Sequence, residues 1–180
     1  MKNRNLAALV IVIAAISLHG EMITFDDVMM KITEPYFQMQ KNLSSDVAKG
    51  NLELTEQMMP LIMELKKSEV PEEHKEHYMS IPVNLEKALM MLRSAKDIAA
   101  QREAFRELSK PMAMWASMAK PAGVYVAYCS MSPGSWLQQD EDIRNPYYGS
   151  QMLKCGEIIS SAEESTEMKM KKEKHGMHHK

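Results

Sequence analysis

Residues 125–157 are YVAYCSMSPGSWLQQDEDIRNPYYGSQMLKCGE, a stretch that concentrates features a helical scaffold has no reason to carry. Its opening, YVAY, alternates and is rich in β-branched and aromatic side chains, which predicts a short extended run into Cys129. Pro133-Gly134 and Asn145-Pro146 supply turn chemistry, and Gly149 allows a positive φ after Tyr147 and Tyr148. The extended run need not be a paired strand, and we read the stretch as an irregular segment, so regular structure is expected upstream and is expected to be helical.

The same stretch carries the chemistry. Cys129 and Cys155 are the two cysteines of the chain, and each has a methionine nearby, as Cys129-x-Met131 and Met152-x-x-Cys155. A spacing of two places both side chains on one side of an extended segment, and a spacing of three does so on a helical turn. Four sulfurs, two of them able to ionise, form a soft donor set that selects Cu(I) or a similar d10 ion over Mg or Ca. Tyr128, Trp136 and Tyr147 would shield such a site or cover the end of a helical core, with Asn145, Pro146 and Gly149 shaping the chain between them. A disulfide is the competing use of the same thiols, and closing their loop would contribute about 3.5 kcal/mol in the chain-entropy picture. The residues alone leave metal site, disulfide and free structural thiols open.

Helical periodicity governs residues 23–119. Phe25, Val28, Met29, Ile32, Tyr36, Met39, Leu43 and Val47 form a first stripe, capped by Thr24 or Asp26 and bent at Pro35. After a turn at Gly50-Asn51, a second stripe runs through Leu54, Met58, Leu61, Ile62 and Leu65, with Pro60 inside it. A third follows at Leu85, Ala88, Leu89, Leu92, Ala95 and Ala99, with Asn84 as its expected N-cap. Phe105, Leu108, Met112, Trp115 and Ala119 mark a fourth, interrupted by Pro111. Four such stripes with short connections imply an all-α fold, an antiparallel four-helix up-and-down bundle ending in the irregular Cys/Met/aromatic segment. In the polar linker before the third stripe, His74 and His77 read as solvated side chains rather than ligands.

The ends differ from the middle. Lys2 and Arg4 precede an apolar run at residues 6–18 broken only by Ser17, the pattern of a signal peptide over residues 1–20 and of an exported, periplasmic protein. Residues 21–158 form the expected domain. Residues 159–180 lose apolar periodicity and read as a disordered Lys/Glu/Met/His tail, in which His175, Met177, His178 and His179 are an accessory soft-metal tract. The formal net charge of −2 offers nothing to a phosphate backbone, so nucleic acid is excluded, and contact with the membrane is expected only through the export signal. Nineteen methionines against three phenylalanines and two tryptophans exceed what gap filling needs and suit life with copper. No phosphate loop, HExxH string, C-x-x-C pair or Ser/His/Asp order occurs, so an enzyme is not expected.

The strings YCSM, WLQQDEDIRNPYYG and MLKCGE, together with DIAAQREAFRELS at residues 97–109, resemble the bacterial helical family known as domain of unknown function 3347. Members occur alone behind signal peptides and attached to the periplasmic adaptor, or membrane fusion, subunits of copper and silver efflux systems. The resemblance implies a helical bundle and heavy-metal handling in the periplasm, with a metal efflux adaptor or another envelope protein as partner. Where members usually carry Cys-Pro-Met, this chain has Cys129-Ser130-Met131, with a shortened connection at residues 132–135. Copper(I) or silver(I) held by Cys129, Met131, Met152 and Cys155 is the resulting expectation. Its alternative is a disulfide-stabilised interaction module without metal.

Overall fold

The computed structural model describes residues 23–162. Thr24 opens the first helix, α1 (Phe25–Ser44), through a capping box in which its hydroxyl accepts from the Asp27 N–H and the Asp27 carboxylate accepts from the Thr24 N–H. Asp46 and Gly50 then take positive φ, at 60° and 89°, and turn the chain into α2 (Asn51–Leu65). A 3-10 turn at Glu72–His74 and the one-turn helix α3 (Lys75–Tyr78) lead to α4 (Ile81–Ser94), and Asp97 caps α5 (Ile98–Ala119) by accepting from the Ala100 N–H.

The expected N-cap at Asn84 is wrong by one turn. Helix α4 starts at Ile81, because Pro82 sits in its first turn, where a missing N–H costs nothing. Pro35, Pro60 and Pro111 lie inside α1, α2 and α5 without ending them. Pro35 and Pro111 are buried, so packing offsets the backbone bond each removes.

The all-α fold class is overturned by a three-stranded antiparallel sheet of β1 (Tyr125–Cys129), β2 (Gly134–Gln138) and β3 (Glu157–Ser160), in the order β2-β1-β3. The fold is mixed: four long helices and a small sheet. The run into Cys129 is therefore a central strand, paired with β2 from Tyr125↔Gln138 to Cys129↔Gly134 and with β3 from Val126↔Ser160 to Tyr128↔Glu157. β3 crosses the boundary expected at residue 158.

The sheet fills a gap in the bundle. Helices α1, α2, α4 and α5 pack in sequence, but α1 and α5 barely meet, and β2 lies against α5 and reaches α1. Val126, Ala127, Cys129, Trp136 and Leu137 therefore join the same core as Phe25, Ile32, Tyr36, Phe105 and Trp115. Met29, Met39, Met58 and Met112 are fully buried packing residues, whereas Met30, Met63, Met79, Met90 and Met131 are exposed.

Tyr36 fastens the three layers. Its ring stacks on Phe105 with centroids 4.8 Å apart, its hydroxyl shares a 2.7 Å hydrogen bond with Ser109 of α5, and the Leu137 N–H of β2 donates to it at 3.1 Å. Burial raises its pKa well above the ordinary tyrosine range, so the hydroxyl stays protonated and serves both partners. Tyr36→Phe leaves the buried Leu137 N–H and the Ser109 hydroxyl short of a partner and should cost about 1–3 kcal/mol in urea unfolding. An unchanged urea midpoint would show that β2 is not held by this bond.

Candidate metal centre

Cys129 closes β1 and is fully buried, with its sulfur accepting a hydrogen bond from the Ser132 N–H at 3.3 Å. The pairing Tyr128↔Glu157 sets the residues just before β3, Cys155 and Gly156, beside the end of β1. The two thiols meet there. Hydrogen bonding with Cys129 pushes the Cys155 thiol above its ordinary range, burial adds to this, and the Met131 backbone amide opposes it. Both cysteines are free thiols.

The predicted thioethers flank this pair unequally. Met131 lies in the β1–β2 turn and is 74% exposed, and its backbone amide is on the Cys155 thiol. Met152 is half-buried and tied to Cys155 through the backbone, its carbonyl accepting from the Cys155 N–H at 3.0 Å. Among the described residues no three His, Cys, Asp or Glu side chains gather into a ligand cluster. The donors that converge here are sulfur, which fits a soft monovalent ion.

Trp136 walls one side. A Cβ built on Gly156 would lie 2.6 Å from the outer edge of the indole and 3.2 Å from the Tyr128 carbonyl, so only glycine lets the ring approach the chain next to Cys155. Gly156 also has a φ of 148°. Trp136 is fully buried, donates from Nε1 to Gln138 at 3.0 Å and meets Tyr147 edge-on at 5.7 Å. Tyr147 is a post rather than a shield of the sulfurs: its hydroxyl donates to the Ser135 carbonyl, and the Arg106 guanidinium covers its face at 4.2 Å. Burial pushes its pKa up to about 12. Arg106 also donates to the Pro133 carbonyl at 2.8 Å and to the Ser132 hydroxyl at 3.0 Å, which clamps the turn between the Cys129 and Trp136 strands.

Asn145 fixes the second cysteine. Fully buried, it donates from Nδ2 to the Cys155 carbonyl at 2.9 Å, accepts from the Tyr147 N–H at 2.8 Å and donates its own N–H to the Leu153 carbonyl at 2.8 Å. Pro146 is buried beside it, and its carbonyl accepts from Arg102 at 3.1 Å. Arg102 also reaches the Leu43 carbonyl at 2.8 Å and the Asp46 carboxylate at 2.5 Å. The space at Gly149 is taken by this ion pair, because a Cβ there would lie 2.1 Å from Asp46 and 2.2 Å from Arg102. Gln101, the neighbour of Arg102, accepts from the buried Asn51 at 2.8 Å. At the start of α5, Arg102 thus ties the bundle to the cysteine segment, while Gln101 ties α5 to α2.

The spacing of cysteine and methionine found the two thiols, but it missed Ser132, Arg106, Asp46 and Gly156. Of these, Arg106 and Gly156 lie inside the strings quoted for the family resemblance; Ser132 and Asp46 carry no local signal, since the partners of Ser132 include Arg106 of a distant helix and those of Asp46 are Arg102 and Ser150, both remote in sequence. His74 packs its ring 5.1 Å from Tyr78, and His77 is exposed. The accessory tract of His175, Met177, His178 and His179 lies outside the described residues.

Gly156→Ala should displace the Trp136 indole and cost about 1–3 kcal/mol, read as a lowered urea midpoint with a red-shifted tryptophan emission. Unaltered emission and midpoint would refute the close approach. The Ser150 hydroxyl and amide and the Arg102 guanidinium hold the Asp46 carboxyl at about 2. Since an unfolded aspartate titrates near ~3.9, the stability this clasp supplies is complete above that pH and is lost as pH falls toward 2. Asp46→Asn should flatten the decline in urea midpoint across that acid window, and an unchanged slope would contradict the assignment.

Among the described residues no helix is long and apolar enough to cross a membrane. Comparison with curated proteins and with solved structures gives no match. One family does match, described as Protein of unknown function (DUF3347), over residues 32–122. The matched range covers the bundle from Ile32 of α1 through α5 and stops before β1, so the cysteine segment lies beyond it. With half of its length matched, the chain belongs to the DUF3347 family.

Proposed function

We propose that the protein is an exported soft-metal carrier that binds copper(I) or silver(I) and sequesters the ion or passes it to an efflux system. The observation that carries this reading is the meeting of Cys129 and Cys155 at the β1–β3 edge, with both thiols free. Two thiolates on a monovalent ion leave a net charge of −1. Lys154 and Arg144, the cations nearest to Cys155 in sequence, are both engaged by Asp142. The compensation comes instead from backbone amides, Ser132 toward Cys129 and Met131 toward Cys155.

The mechanism is ligand exchange without covalent change at the ion. Cys129 is the inner donor, buried at the end of the central strand, while Cys155 faces the outer side with the exposed Met131 next to it. Thioethers need no deprotonation and exchange readily, so Met131 and Met152 suit the transient positions of a transfer. Trp136 excludes water from the inner side. An acceptor with sulfur donors, such as a metal efflux adaptor, would take the ion from the outer side. No acid–base or nucleophilic chemistry is part of this role.

Cu(I) competition under reducing conditions tests the proposal. The protein should withdraw one equivalent from a weak Cu(I) chelator, and the Cys129→Ser, Cys155→Ser double variant should withdraw none. Equal withdrawal by the double variant would defeat it.

A further inference from the structure

The geometry points to a second use of the same sulfurs: Cys129 and Cys155 form a reversible dithiol/disulfide pair in which Cys155 meets the oxidant and Cys129 resolves the mixed disulfide. Three observations carry this. The thiols come from separate chain segments that the Tyr128↔Glu157 pairing sets side by side. They differ sharply in access, since Cys129 is fully buried at the end of the central strand while Cys155 is half-buried on the segment leading into an edge strand. Both partners are held in place, Cys155 by Asn145 on its carbonyl and by Met152 on its N–H, and the chain after Cys129 by Arg106 on the Ser132 hydroxyl and the Pro133 carbonyl.

A small-molecule disulfide can reach only the outer thiol. Cys155 loses its proton and attacks one sulfur of that disulfide; the reagent's S–S bond breaks, and one small thiol leaves with a proton. Cys129 then loses its proton and attacks the Cys155 sulfur, forming the protein disulfide and releasing the second small thiol. Two protein thiols are oxidised, and two electrons reduce one small disulfide to two thiols. Closure removes both anionic donors at once. If the carrier reading above holds, oxidation of the empty protein therefore abolishes metal binding, and a bound ion protects the pair.

Intact-mass measurement on the reduced, metal-free protein exposed to oxidised glutathione tests the pair without using metal. The expected result is a loss of two hydrogens with no retained adduct. Cys129→Ser should accumulate a glutathione adduct at Cys155. Cys155→Ser should stay unmodified while folded and take the adduct only in urea. A wild type that retains the adduct, or a folded Cys155→Ser protein that reacts as fast as Cys129→Ser, overturns the inference.

Should either variant fail to fold, pulsed iodoacetamide labelling of the native wild type with peptide mapping gives the same answer. Labelling of Cys155 should be complete before Cys129 is detectably modified, and equal rates overturn the assignment. Cu(I) competition before and after oxidation separates the two readings. A reduced protein that closes as described yet never binds Cu(I) sinks the carrier reading alone. One that binds Cu(I) but does not close sinks the redox pair alone.

Discussion

The antiparallel pairing of β1 with β3 is the constraint on which the rest depends. It sets Cys155 beside Cys129, although most of the sequence between them is spent on a hairpin and an irregular loop. Side chains alternate along a strand, so slipping this register by one residue would turn Cys129 away from its partner. A β1–β2 hairpin this short has little stability of its own. It persists because β2 is seated on α5 and α1, and because the outward backbone groups of β2 at Ser135 and Leu137 are bonded by Tyr147 and Tyr36.

That seating explains how a bundle comes to hold a precise sulfur pair. The cysteine segment is anchored to the helices by buried polar groups with named partners: Gln40 of α1 donates to the Arg144 carbonyl at 2.6 Å, Arg102 of α5 to the Pro146 carbonyl, and Asn145 to the Cys155 carbonyl. Buried amides and guanidinium groups are costly to leave unpaired, so the loop has few alternatives that satisfy them. A site built this way can keep one cysteine immobile and the other near solvent, which both metal exchange and thiol exchange require.

Much of this was legible in the chain. The 3.6-residue stripes gave the long helices, Thr24 was one of two caps offered for the first of them, and the Cys/Met spacings singled out the thiols that meet. The sheet was not legible. The extended run into Cys129 was the one trace of it; five-residue β2 and four-residue β3 carry too little periodicity to be told from an irregular run, and the pairing of β1 with β3 joins residues remote in sequence. The helical start at Ile81 was hidden because Pro82 reads first as a breaker and only in context as a first-turn residue. Tyr36 showed as one more apolar residue of a stripe, and nothing local announces that its hydroxyl spans three elements.

The fold and the family membership are findings; the metal is the step beyond them. The donors suit a soft ion by type and by their meeting at one edge. X-ray absorption at the copper edge of the Cu(I)-loaded protein tests this most directly. The account predicts coordination by sulfur alone, abolished when both cysteines are alkylated beforehand. Coordination dominated by nitrogen or oxygen, or an unchanged spectrum after alkylation, would contradict it.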